Sequence, residues 1–480
     1  MLNHAAKLLT TVQRRIRWDL GARDLAREWK TLFTTQDLKA DLSAGMAVAC
    51  IAMPLSFAVA IASGVEPKLG LITAIIGGIV CAITGGVPLS VSGPTVTIAV
   101  VIAAAAESDG VQGVLFVGMV CGLLQLLTGV FNLGRLMRLV PSAVVTGFKA
   151  GVGAIIVIGQ LPRALGLPPP AQSHVIEVVR HLKDLIGHLQ PMVFVLTLFA
   201  MWVMVRFPVL LPRVPAALAA VVLPTFIAWG LDLTVPLLGE IPRTLPWPEL
   251  PILPAEWPTL VAEGFIVYCL ASLETLLSAS AVDKLSGGAK HDPDQEMIGQ
   301  GFGNLATAMF GGIPVTGVIA RSALNVQAGA RTRRSALFHS LFLVAAVFFL
   351  DPLIARIPIA ALAGVLLAVA MRMMQPGEVW EMWKRSRTDV LIYAVTFSGV
   401  VFADLIAGVQ AGVAVAAVIA LMRLSHTQLF VSTSGPSMPL RFSLEGPLSF
   451  LSVSTFDSIR DQLVNASVQR GVIFDLTEVT

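Results

Sequence analysis

Residues 311–334 read GGIPVTGVIARSALNVQAGARTRR, and residues 85–104 read GGVPLSVSGPTVTIAVVIAA. Each is a Gly-Gly-x-Pro corner followed by an apolar stretch too short to cross a bilayer as a helix, which needs about 20 residues. The corners start 226 positions apart, at Gly85 and Gly311. Two matching interrupted segments, one in each half of a membrane chain, point to a binding site built from broken helices. The second carries Arg321, a charge at membrane depth, where a charged side chain faces a cavity or a partner.

The surrounding chain is that of an integral membrane protein. It is 55% apolar and 13% charged over 480 residues, with mean hydropathy +0.80. A soluble domain is about 25% charged. Apolar runs recur from residue 41 to 424 and are rich in Gly, Ala and Val, small residues that let helices approach closely in lipid. The four cysteines (Cys50, Cys81, Cys121, Cys269) all fall inside apolar runs, without metal-ligand spacing, and read as packing residues. No Walker A motif, nucleophile–His–acid arrangement or metal cluster occurs, so neither an ATP-driven pump nor an enzyme is expected. No nucleic-acid partner is expected either.

Fourteen membrane segments are expected: 41–63, 69–86, 93–106, 111–131, 139–161, 191–207, 214–231, 259–284, 294–312, 317–330, 335–354, 358–374, 388–404 and 406–424. The two short ones are the third of each group of seven. With a cytoplasmic N-terminus, this count puts 22 Lys/Arg on the inside and six on the outside, as the positive-inside rule requires. Seven segments per half make the second half enter from the opposite side, which is an inverted repeat. The expected organisation is an amphipathic cytoplasmic N-terminus (1–40), a first repeat (41–231), an external proline-rich loop (232–258), a second repeat (259–424) and a cytoplasmic tail (425–480). VQRRIRWDLGARDLAREWKTLF (12–33) reads as an interfacial helix. VIEVVRHLKDLIGHL (175–189) reads as a surface helix, and 376–387 as a short interfacial piece carrying Trp380 and Trp383. In the tail, MPLRFSLEG alternates, FDSIRDQL is helical and GVIFDLTEV is a strand, the start of an α/β domain. Its apolar last strand leaves that domain incomplete.

Helix starts at Gly93-Pro94-Thr95 and Gly317-Val318-Ile319 expose unpaired N–H groups and about half a positive charge each. Pointed at one cavity, they make an anion site. Arg321, one turn into its segment, can add charge to that site or pair with a carboxylate. Glu274 is the carboxylate inside the eighth segment, with Ser278 one turn on along the same face. The pair can bind Na⁺, or Glu274 can take a proton; the alternative is a fixed counter-charge for Arg321. Lys149 reads as a snorkelling residue and Asn304 as an interhelical hydrogen-bonding residue.

The chain resembles the sulfate permease (SulP) family of anion transporters from about residue 40 to 480. The resemblance lies in PLSFAVAIASGVEPKLGLITAIIGG (54–78), VSGPT (91–95), SLETLLSASAVDKLSG (272–287) and GGIPVTGVIARSALNVQAGARTRRS (311–335). The tail, with LEGPLSF and VIFDLTEVT, resembles the first part of that family's STAS domain. The resemblance implies an all-α polytopic fold, a seven-plus-seven inverted repeat divided into core and gate, elevator-like alternating access, and a homodimer in the plasma membrane. It implies substrate-site positions at Ser56, Phe57, Thr95, Gly317, Val318, Ile319 and Arg321, and a coupling-ion site at Glu274, Ser278 and Gly317. Beyond H⁺ or Na⁺, no cofactor is implied. The first stretch is most similar to the sodium-coupled bicarbonate branch. Glu274 stands where that branch has an Asp sodium ligand, and Ile319 where it has a hydroxyl residue. Secondary transport of a sulfate-like oxyanion, bicarbonate or a C4-dicarboxylate is the expectation. Alternatives are a sodium-dependent bicarbonate symporter, an uncoupled anion channel, a nucleobase permease and a membrane scaffold serving the tail.

Overall fold

The computed structural model describes residues 17, 20–29, 32, 36–134, 141–167, 187, 189–211, 214–240, 246–255, 257–287, 291–403, 405–424, 428–432, 440–446 and 472–479. The expected surface helix of 175–189, apart from residues 187 and 189, and the FDSIRDQL helix fall outside these residues, as do residues 1–16. Among the described residues, thirteen helices cover the fourteen apolar stretches, the third and fourth sharing one element. They are α2 (Leu38–Ala62), α3 (Pro67–Thr84), α4 (Val96–Val130), α5 (Ser142–Ala164), α6 (Pro191–Leu210), α7 (Ala216–Gly230), α8 (Trp257–Ser286), α9 (Pro293–Met309), α10 (Ile319–Gln327), α11 (Arg334–Ile354), α12 (Ile359–Met374), α14 (Arg387–Phe402) and α15 (Leu405–Leu424). Preceding them is α1 (Ala22–Trp29), and α13 (Pro376–Arg385) joins α12 to α14. Among the described residues, eight helices are long and apolar enough to cross a membrane.

The third and fourth stretches form one element, α4, broken at Asp109 (φ −132°) and Gly110 (φ 60°). A left-handed φ suits glycine, and the polar ESDG sequence at the break marks the turn. The second stretch, α3, contains a π turn at Thr73–Gly77. There the Thr73 hydroxyl donates to the carbonyls of Leu69 and Ile313, 2.8 Å each, and the latter bond joins α3 to the second Gly-Gly-x-Pro corner.

The helices sort into two packed groups. One holds α2, α3, α4, α8, α9, α10 and α11; the other holds α5, α6, α7, α12, α14 and α15. Contacts between the groups run chiefly from α2 to α7 and α12 and from α4 to α5. Small residues set the close approaches within each group. A Cβ on Gly122 of α4 would lie 2.9 Å from the Gly301 carbonyl oxygen, and one on Gly301 of α9 would lie 2.7 Å from Leu126 N. Packing of backbone on backbone replaces the hydrophobic drive that lipid removes.

Two buried charges fasten the first group. Asp41 is fully buried and accepts from Arg331 N (2.8 Å), Thr332 N (3.0 Å), Thr332 Oγ1 (2.6 Å) and Arg334 Nε (3.1 Å). This ties the start of α2 to the start of α11. The N-terminal segment sits on the same group. Arg17 pairs with Asp292 at 2.6 Å, Glu28 pairs with Arg333, and Trp29 Nε1 donates to Ile83 O at 2.8 Å. Within the expected 12–33 the described helix is Ala22–Trp29, and the bonds of this segment go to protein.

Among the described residues of the expected 232–258 loop there is no helix before Trp257, where α8 begins, as its prolines suggest. It crosses helix ends, with Leu238 N bonded to Ile357 O (2.8 Å) and Glu249 N to Met309 O (2.8 Å). Trp380 and Trp383 of α13 are exposed. The tail holds a three-stranded sheet of Gln428–Ser432, Leu440–Gly446 and Val472–Val479, antiparallel between the first two and parallel between the last two. The first of these strands lies in a part of the tail to which the sequence reading assigns no element.

Candidate functional site

Two-residue strands precede both short helices. Ser92–Gly93 pairs antiparallel with Thr316–Gly317, in the register Ser92↔Gly317 and Gly93↔Thr316. Val318 N–H adds a bond to Val91 O at 3.0 Å. The antiparallel crossing sends α4 and α10 away in opposite directions, so both helix starts point back at it. Thr95 and Val318, the residues before each first turn, are extended, and neither helix start has a side-chain cap. The first-turn N–H groups therefore keep their donors for another acceptor. With nine residues, α10 spans only about 13 Å.

Arg321 is 1% exposed. Its Nη2 donates to Ser56 Oγ (3.2 Å) and reaches Ala52 O (3.5 Å), while Nε and Nη1 are buried with no protein acceptor. The guanidinium lies against Gly93: an added Cβ there would be 2.1 Å from Nη1. Only a residue without a side chain lets the cation reach the start of α4. A buried guanidinium with two idle nitrogens, holding three N–H donors, costs several kcal/mol unless an acceptor arrives.

On α8, Glu274 is half-buried and its Oε2 accepts from Thr95 Oγ1 at 3.1 Å. The Lys149 ammonium of α5 acts on it electrostatically, so Lys149 faces the site across the boundary between the helix groups. Glu274 and Arg321 form no ion pair: Glu274 bonds to Thr95, and Arg321 to Ser56 and Ala52 O. Ser278 is buried and donates to Ser322 Oγ of α10 (3.2 Å), which in turn accepts from Val91 N (3.0 Å). Glu274 and Ser278 thus share a helix face but bond to different partners. Gly317 N donates to Thr275 Oγ1 at 2.9 Å, a hydroxyl that the sequence reading did not single out.

Thr95 and Ser56 are buried at the crossing, Ser56 donating to Ala52 O at 2.7 Å. Phe57 is fully buried in the main apolar core. Val318 and Ile319 are half-buried and Ala320 is exposed, although α10 is packed on α2 and α8. That exposure, with the half-buried Glu274, marks an opening at the start of α10.

A buried polar ladder on α9 frames the crossing. Asn304 accepts from Val315 N (2.8 Å) and donates to Val315 O (2.9 Å) and Gln125 Oε1 (2.8 Å). Its amide thus stands in for a neighbouring strand beside the second corner. Gln300 reaches Ser92, and Glu296 reaches the backbone of the first corner at Val87. The spacing Asp292, Glu296, Gln300, Asn304 is four residues each time, one face of a helix. That stripe of polar residues in an otherwise apolar segment is the signal by which the sequence could have named them.

The profile of the sulfate permease family matches residues 38–396. A putative sulfate transporter, YvdB of Bacillus subtilis, is 32% identical over 89% of this chain and 83% of its own length. The bicarbonate transporter BicA of Picosynechococcus is 31% identical over 82% of this chain and 72% of its own. A solved transmembrane domain of a cyanobacterial BicA superposes with a TM-score of 0.73 at 31% identity, covering 78% of this chain and 98% of that one. By sequence and by fold, this chain belongs to the sulfate permease family.

Proposed function

We propose that the chain is a secondary transporter of small anions, in keeping with a family made of transporters rather than enzymes. The carrying observation is the β crossing: two uncapped helix starts meet a buried Arg321 whose Nε and Nη1 have no protein acceptor. Such a place offers positive charge and free donors to an anion at the middle of the bundle. Sulfate-like oxyanions, bicarbonate and C4-dicarboxylates all fit this chemistry. Ser56, Thr95, Gly317, Val318 and Ile319 surround the anion in this reading, and Phe57 backs the cavity wall.

The same reading takes residues 41–231 and 259–424 as inverted repeats of seven segments. The two packed helix groups are a moving core and a gate, and the antiparallel pairing of matching positions in the two halves supports this symmetry. The limited contact between the groups suits an elevator-like displacement. Glu274 binds the coupling ion, H⁺ or Na⁺, with Ser278 and Gly317 nearby. The protein works as a homodimer among plasma-membrane lipids, with its N-terminus and a STAS-like tail in the cytoplasm.

Competitive uptake into proteoliposomes tests the proposal. Sulfate, bicarbonate, fumarate and chloride are compared at two pH values, with and without Na⁺. Concentrative, co-ion-dependent uptake of one of them is expected. Current without a stoichiometric co-ion would assign the protein to channels instead, and uptake of a neutral nucleobase alone would overturn the anion reading.

A further inference from the structure

The ladder on α9 contains a second enclosed carboxylate that the anion site does not use. Glu296 is 2% exposed. Its Oε2 accepts from Val87 N (3.1 Å) and its Oε1 from Gln300 Nε2 (3.0 Å). The same Gln300 nitrogen donates to Ser92 Oγ at 2.8 Å, while Gln300 Oε1 is buried with no partner. Ser92 forms the β crossing with Gly317. A continuous hydrogen-bonded relay therefore runs from Glu296 to the start of the first broken helix.

An enclosed carboxyl group is stabilised by a cation, a metal ion or a proton. Among the described residues, Glu296 has no ion pair, and no group of His, Cys, Asp and Glu is placed to hold a metal. The ionisable groups that face it are Cys81 of α3, Asp292 one turn earlier on α9, and Arg333 across the Gly85 backbone. Asp292 is committed to Arg17. Arg333 is committed to Glu28 and to the carbonyls of Ala82, Ile83 and Gly85. The carboxylates of α4, Glu107 and Asp109, stand at the break within that helix.

We propose that Glu296 is a proton-binding site, separate from Glu274, whose state is passed through Gln300 to Ser92 at the helix crossing. With Glu296 ionised, both N–H groups of Gln300 are donated, one to the carboxylate and one to Ser92, and the amide oxygen is idle. On protonation one O–H bond forms on Oε1, with the proton taken from water, and the carboxyl becomes a donor. A half-turn of the Gln300 amide then lets its oxygen accept from both Glu296 and the Ser92 hydroxyl. The relay keeps two bonds in either state, but the bond at Ser92 reverses direction. The proton returns to water when the carboxyl ionises. Its effect on transport rests on the anion-transport reading above; the proton binding does not.

Infrared difference titration of the purified full-length chain reads the proton directly. A protonated-carboxyl band that appears on acidification is expected to vanish in Glu296→Gln and to persist in Glu274→Gln and Gln300→Met. Glu296→Asp, which keeps the acid, is expected to shift the band, and serves if the Gln variant does not assemble. In proteoliposomes, a single proton changes uptake by at most about tenfold per pH unit on the titrating limb. In Glu296→Gln and Gln300→Met the part of that limb that does not come from Glu274 is expected to flatten to less than about twofold. A band unchanged in a folded Glu296 variant would overturn the site. A full wild-type pH limb in Gln300→Met would overturn the relay. A chain that moves no anion still displays or lacks the band, so the two readings fail separately.

Discussion

The contact between Gly93 and Arg321 allows a test in which one methyl group reports on the anion site. In Gly93→Ala the new Cβ would lie 2.1 Å from Arg321 Nη1 and 3.1 Å from Cζ, where ordinary contact starts at 3.4 Å. The guanidinium is the far end of a flexible side chain, so it retreats by about 1.3 Å while the backbone holds. For an anion about 4 Å from the charge, at an effective dielectric of about 20, the attraction is about 4 kcal/mol. At about 5.3 Å it is about 3 kcal/mol. The loss of about 1 kcal/mol corresponds to a roughly fivefold rise in the half-saturating anion concentration. The assay is the concentration dependence of uptake in proteoliposomes, with anion-induced thermal stabilisation in detergent as a binding measure. The decisive control is the double variant. If the methyl acts only through Arg321, Gly93→Ala in an Arg321→Ala background adds nothing. An unchanged half-saturation in folded Gly93→Ala, or an equal penalty in both backgrounds, would refute the reasoning.

Three further outcomes are expected. Glu274→Gln abolishes pH- or Na⁺-driven accumulation; undiminished coupled uptake would remove Glu274 from the coupling role. Asn304→Leu strands the N–H and C=O of Val315 and costs about 2–4 kcal/mol, read as a lowered unfolding temperature in detergent. Asp41→Ala takes the carboxylate from Arg334 and from two backbone donors, and costs about 3–5 kcal/mol. Wild-type thermal stability in either of these last two would show that the bonds are not made in the membrane.

The helical stretches were legible because lipid imposes long apolar runs, and the break in α4 because ESDG supplies turn residues. Arg321 and Glu274 stood out for the same reason, as charges where charge is costly. Their partners were not legible. Arg321 was expected to face an anion or Glu274; its protein bonds go to Ser56 and Ala52 O, and none goes to Glu274. Ser278 was grouped with Glu274 by helical phase, yet its hydroxyl goes to Ser322. Phase tells which residues share a face but not which neighbouring helix that face meets. The pairing of Asn304 with Val315 joins a helix to a corner 11 residues on, but Gln125 and Ser92 reach that ladder from another part of the chain, with no local pattern to announce them.

Hydrophobic run length alone determined that the chain is a membrane-embedded helical protein. The repeated Gly-Gly-x-Pro corners alone marked where its helices break. Those are local properties, written by the solvent that each stretch must meet and by the backbone that glycine and proline allow. The tertiary structure decided that the two breaks meet in one antiparallel crossing, that Gly93 admits the Arg321 guanidinium to it, and that the α9 ladder holds it in place. Apart from the Asn304–Val315 bond, those contacts join residues about two hundred positions apart, and they exist only once seven helices have packed and fixed which faces touch.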